Sequence, residues 1–183
     1  MDDKYSLLAT AEQVGEQIAR LAAEITQNES NTSPLFVGLL RGAAPFTSKL
    51  MHAIVRRSQD FHPELDYMMV STYGGERHAS EPHIVTDLAP STTVKGRTVI
   101  IIDDVLDKGI TADFVAKHLL ARGAKTVKLA VLCDKTTARE RDVTAEYIGF
   151  TFDDNWLVGM GMDDSEAATE GYRWLDEIWE IKR

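Results

Sequence analysis

Three short runs, LFVGLL (35–40), TVIIID (98–103) and TVKLAVLC (126–133), are apolar almost without interruption. A strand with one wet face alternates polar and apolar residues. These do not, so each is expected to be buried on both faces. Covering both faces of a sheet requires helices on each side, and hence strands and helices alternating along the chain. Pro45 opens a segment with Phe46, Leu50 and Ile54 at helical spacing. Ala112, Val115, Ala116 and Leu119 form another stripe, closed by Gly123 where a helix C-terminal cap belongs. Val14, Ile18, Leu21 and Ile25 predict a helix over 6–28, ended by the loop sequence NESNTSP. YMMVST (67–72), EYIGF (146–150) and WLVGMGM (156–162) add strand-like segments. The expectation is one α/β domain over 1–183, a mostly parallel central sheet flanked by helices.

Composition narrows the function. Acidic residues outnumber basic ones 29 to 20, a net charge of −9 that repels nucleic-acid phosphates over most of the surface. A small phosphorylated ligand is still compatible, because a few backbone amides and one metal reverse the field locally. The single cysteine, Cys133, forms no internal disulfide and reads as a small buried hydrophobe. No run approaches the roughly 18 apolar residues of a membrane span, and no charged start leads an apolar stretch, so a cytoplasmic setting is expected. The five histidines show no metal-ligand spacing. From Tyr73 to Gly96 the chain is polar, with three glycines and two prolines, as in a functional lid.

Ligands of parallel sheets bind beyond the carboxyl ends of the strands. RGAAP (41–45), DDVLDKGIT (103–111) and DKTTARE (134–140) are expected there together. In the second of these, Gly109 allows consecutive amides to turn toward one point, and the following helix adds its free N–H groups and positive dipole end. With the Thr111 hydroxyl, this makes a cradle for a monophosphate. A triphosphate suits it less, since no long glycine-flanked loop ends in Gly-Lys-Ser/Thr. Asp103 and Asp104, just upstream, can accept hydrogen bonds from a sugar diol. Phosphate cradle plus diol acceptors describe a 5-phosphoribosyl binder.

VIIIDDVLDKGIT (99–111) resembles the phosphoribosyl-pyrophosphate (PRPP) signature of the type I phosphoribosyltransferases. GLLRGAAPF (38–46), STYG (71–74), LCDKTTARE (132–140) and DDNWLVGMGMD (153–163) follow in the order of the family's hypoxanthine-guanine branch. The resemblance implies the type I phosphoribosyltransferase fold with a small hood over 150–183, a mobile catalytic loop over 72–96, Mg²⁺ as cofactor, and a homodimer or homotetramer. By the same resemblance, Leu40, Arg41 and Gly42 form the pyrophosphate loop, Arg41 and Gly42 binding through backbone amides with room for a strained peptide at Leu40–Arg41, and Arg173 assists. Thr72 and Tyr73 belong to the catalytic loop. Asp103 and Asp104 take the ribose hydroxyls and metal, and Lys108, Gly109, Ile110 and Thr111 the 5′-phosphate. Asp107 is the base for the purine N7 proton. Lys135 donates to the purine O6, the Leu157 carbonyl accepts from N1–H, Trp156 stacks on the base and Asp163 binds a second Mg²⁺.

The chain departs from the family pattern at four places. Lys108 stands where a small hydroxyl residue is common, Thr72 replaces a serine, and Trp156 replaces a phenylalanine. The segment from Asp163 to Arg173 is about four residues longer than usual. Rival readings are a PRPP-sensing regulator of this fold, an orotate- or adenine-type transferase, and the acidic pocket of a phosphoreceiver or phosphatase domain.

Overall fold

The apolar runs lie side by side at the centre of the molecule. The computed structural model describes residues 3–73 and 79–182. In chain order the elements are β1 (Tyr5–Ala9), α1 (Ala11–Glu29), β2 (Leu35–Leu40), α2 (Ala44–Arg57), β3 (Glu64–Tyr73) and β4 (Ala79–Thr86). Then follow β5 (Thr98–Leu106), α3 (Ile110–Ala121), β6 (Thr126–Lys135), β7 (Tyr147–Phe152), β8 (Trp156–Val158) and β9 (Ile178–Ile181). Six strands form one sheet in the order β4-β3-β2-β5-β6-β7, parallel except for the edge strand β4. The second sheet, β1-β9-β8, is antiparallel.

Alternation along the central strands feeds two separate cores. Phe36, Ile100, Ile102, Ala130 and Leu132 face α1 and α2, among Ile18, Leu21, Phe46 and Leu50. Leu35, Val37, Val99, Ile101, Leu129 and Val131 face the other way, onto Val115 and Leu119 of α3 and Leu88 and Val94. A period of two therefore fills both cores from one apolar run. It also fixes the register, Gly38 opposite Ile102 and Ile102 opposite Ala130.

Two expectations need correction. The helix predicted from Ser6 begins at Ala11, because Tyr5–Ala9 pairs with β9 as a strand. Thr10 ends that strand and caps the helix, its hydroxyl accepting from the Gln13 N–H while the Gln13 side chain accepts from the Thr10 N–H. The polar stretch after Tyr73 is not all loop, since Ala79–Thr86 returns antiparallel to β3. Residues 74–78 of the expected mobile loop lie outside the described residues.

Candidate active site

β2, β5 and β6 are neighbours in the sheet, so the loops at their carboxyl ends meet. The Leu40–Arg41 peptide, where the sequence left room for a strained bond, is cis. Beyond it the backbone of Gly42 presses against the Asp104 carboxylate, where a β-carbon would overlap the carboxylate oxygens. Gly161, at φ 113, lies equally close to the Gly42 carbonyl. Only hydrogen at these α-carbons lets the hood approach the first loop so closely.

Asp103 and Asp104 stand inside β5, which runs three residues beyond the expected end at Asp103. The Asp103 carboxylate accepts from the Asp104 N–H at 3.0 Å, and that of Asp104 from the Val105 N–H at 2.9 Å. Burial, with the neighbouring charge of Asp104, pushes the Asp103 carboxyl well above the usual carboxylate range. Burial also raises Asp104, held back by hydrogen bonds from its neighbours and by the charge of Arg173. Two carboxylates driven toward protonation mark a place that gains from a cation. Their all-oxygen donor set suits Mg²⁺, which takes one or two carboxylates and completes its shell with water and phosphate oxygens. Among the described residues, no three His, Cys, Asp or Glu side chains are grouped so as to hold a metal ion. Asp163, expected as a further ligand, pairs with Arg173 at 2.8 Å.

After β5 the chain turns at Gly109, φ 79, directly into α3. No side chain caps this helix, so its first amides are left for an anion, with Ile110 and Thr111 half-buried beside them. The Lys108 ammonium points away to Glu140, at 2.6 Å, while its carbonyl accepts from the N–H groups of Glu140 and Arg141. Arg139 donates to the Asp107 carbonyl at 2.5 Å and pairs with the Asp134 carboxylate, tying the loop after β6 to the turn. The Asp107 Oδ2 atom lies 3.5 Å from Nζ of the buried Lys135. Its Oδ1 atom is shut from solvent and finds no hydrogen-bond partner among the described residues.

Opposite this turn stands the small sheet. Trp156, half exposed at 49%, and the buried Leu157 lie on β8, the outer strand of that sheet. Together with Asp104, Val105, Asp107, Lys135, Met162 and Asp163 they line a cleft. Arg173 reaches back from the longer hood segment, donating to the Gly161 carbonyl and to the Glu170 carboxylate. Glu170 also accepts from Arg41 at 2.8 Å.

Leu40, Arg41, Gly42, Asp103, Asp104, Asp107, Lys108, Gly109, Ile110, Thr111, Lys135, Trp156, Leu157, Asp163 and Arg173 thus gather at one end of the molecule. Thr72 and Tyr73 end β3, and their side chains lie outside what the structure describes. Sequence reasoning passed over Met162, Arg139 and Glu170. Arg139 lies in LCDKTTARE and Glu170 in the segment from Asp163 to Arg173, but charged residues in a loop carry no sign of what they will touch.

A model of the phosphoribosyl transferase domain matches residues 5–165. The chain is 36% identical over 181 residues to the hypoxanthine-guanine phosphoribosyltransferase of Bacillus subtilis (strain 168), covering 98% of this chain and 94% of that one. Its identity to the hypoxanthine-guanine phosphoribosyltransferase of Streptococcus pyogenes serotype M3 is 32%, with the same coverage. A hypoxanthine phosphoribosyltransferase structure from Staphylococcus aureus superposes with a TM-score of 0.85 at 31% identity, over 97% of this chain and 91% of that chain. The phosphoreceiver and phosphatase readings of the acidic pair fall with these matches. The chain belongs to the phosphoribosyltransferase family, in its hypoxanthine-guanine branch.

Proposed function

We propose that the protein transfers the 5-phosphoribosyl group of PRPP to a 6-oxopurine, hypoxanthine or guanine, giving IMP or GMP and pyrophosphate in purine salvage. One observation carries the reading. The Lys135 ammonium and the Asp107 carboxylate stand 3.5 Å apart in a cleft walled by Trp156. O6 and N7 share one edge of a 6-oxopurine, so one base can meet a donor and a proton acceptor there at once.

The chemistry follows from the residues. The turn at Gly109 anchors the 5′-phosphate on the first amides of α3. Asp103 and Asp104 hold the ribose hydroxyls and, on this reading, Mg²⁺, which when bound neutralises charge on the departing pyrophosphate. Leu40, Arg41 and Gly42 grip the diphosphate. A purine nitrogen attacks the anomeric carbon as its bond to pyrophosphate breaks, and Asp107 takes the N7 proton. Trp156 stacks on the ring, and the Leu157 carbonyl accepts from N1–H. A homodimer or homotetramer in the cytoplasm, acting on small molecules and neither nucleic acid nor membrane, belongs to the same proposal. Among the described residues no helix is long and apolar enough to cross a membrane.

The test is kcat/KM with Mg²⁺-PRPP for hypoxanthine, guanine and adenine, in wild type and Lys135→Ala. Lysine has only donors and finds an acceptor in O6, whereas adenine presents an amine there. Adenine should be worse by roughly 10⁴–10⁵-fold, because polar groups on both sides would be left unpaired. Comparable efficiency with adenine overturns the assignment, and full activity of Lys135→Ala removes Lys135 from the site.

A further inference from the structure

Glu170 holds a position that a negatively charged ligand would want. Its Oε1 atom accepts from Arg41 at 2.8 Å, and its Oε2 atom accepts from Arg173. Among the described residues Arg41 makes no other ion pair, and its side chain is 66% exposed. The backbone bends unusually to deliver the carboxylate. Glu170 has φ 59 and Tyr172 φ 61, a left-handed region that residues with a β-carbon rarely occupy. Hydrogen bonds from Arg173 and Arg41 hold the Glu170 carboxyl below the usual range, so it is charged near neutrality. The contact bridges the loop after β2 and the long hood segment.

A carboxylate and a diphosphate ask the same thing of a guanidinium, charge-assisted hydrogen bonds to oxygen. The Arg41 Nη1 atom cannot point at both. We infer that Glu170 is an internal competitor of the leaving group, its carboxylate occupying the arginine site that pyrophosphate, free or within PRPP, takes over. This rests on the phosphoribosyl-transfer reading above. The consequence is quantitative. When the binding-competent state is only a fraction of the population, apparent affinity falls by that fraction. Glu170 therefore lowers affinity for PRPP and for pyrophosphate alike, while leaving the purine pocket untouched.

Sign separates this role from a scaffold. If Glu170 only aligned the arginines, removing its charge would weaken diphosphate binding; if it competes, binding tightens. The experiment measures the Kd of magnesium pyrophosphate by calorimetry, and KM for PRPP and hypoxanthine, in wild type, Glu170→Gln and Glu170→Gly. The glycine variant accepts a positive φ without a β-carbon, so a melting curve matching wild type is expected of it. Pyrophosphate Kd and PRPP KM should fall on the order of 3–30-fold in both variants, with hypoxanthine KM within about twofold. Unchanged or weaker pyrophosphate binding in the folded variants overturns the inference and leaves the function standing. A wild type that neither binds pyrophosphate nor forms nucleotide takes down both.

Discussion

Asp107 carries one carboxylate oxygen shut from solvent without a partner and another 3.5 Å from the Lys135 ammonium. An unpaired buried acceptor costs about 1–3 kcal/mol, which suits an atom awaiting a proton in the reaction. Asp107→Asn keeps the shape and loses the base, so kcat should fall on the order of 10²–10⁴-fold. PRPP affinity, measured by calorimetry, should be nearly unchanged, and unchanged kcat would remove Asp107 as base. Lys108 tests the opposite expectation. Its ammonium pairs with Glu140, while its backbone belongs to the turn before Gly109. Lys108→Thr should leave PRPP KM the same or lower, with no added salt dependence; a loss that deepens at low salt would show the ammonium acting on phosphate. Such side chains are where sequence reasoning reached least. Asp163 and Asp164 are adjacent and look alike. Only the fold shows Asp163 lining the cleft while Asp164 is buried against Lys4 and Tyr5, at 2.9 Å each.

Elements were legible where local pattern and tertiary demand agreed. The stripes of α1, α2 and α3 and the apolar runs of β2, β5 and β6 all lie where periodicity put them. β1 was missed because its apolar residues continue a helical pattern backwards, although Thr10 and Gln13 spell a capping box at its end. β4 was missed because its pairing with β3 is set across the chain, and Pro82 and His83 disguise the alternation. The turn into α3 offers a test at this scale. Gly109→Ala forces a β-carbon into φ 79 and to 3.3 Å from Cδ of Arg139. That costs about 1–2 kcal/mol, or roughly 2–8 °C in melting temperature. PRPP KM should rise at least about tenfold through the disturbed amides, while hypoxanthine KM moves little. Equal rises in both would mean that the cleft as a whole had collapsed.

Over the whole molecule, distant segments are joined through buried charge. Glu29, at the end of α1, is fully buried and accepts from Lys128 on β6 at 2.5 Å, Tyr147 on β7 at 2.9 Å and Thr32 at 2.7 Å. Burial alone raises its carboxyl, but these bonds prevail and hold it below its ordinary value of 4.5. A lowered carboxyl stabilises the fold above its unfolded value, and that contribution fades as pH falls through the folded one. Glu29→Gln should cost about 1–3 kcal/mol in urea unfolding at pH 7, since a hydrogen bond to a charged group becomes a neutral one. The gap from wild type should close as pH drops below 4.5. A gap constant down to acid pH would mean that Glu29 acts through packing alone.

The small sheet has its own history in time. β1 pairs with β9, and Lys4 and Tyr5 grip Asp164 at separations of 160 and 159 residues. On a ribosome adding about 5–20 residues per second, β1 waits on the order of ten seconds or more for β9 to emerge. The central sheet can assemble meanwhile, but the wall carrying Trp156 and Asp163 cannot. The cleft is therefore completed only after all six strands of the central sheet have been made.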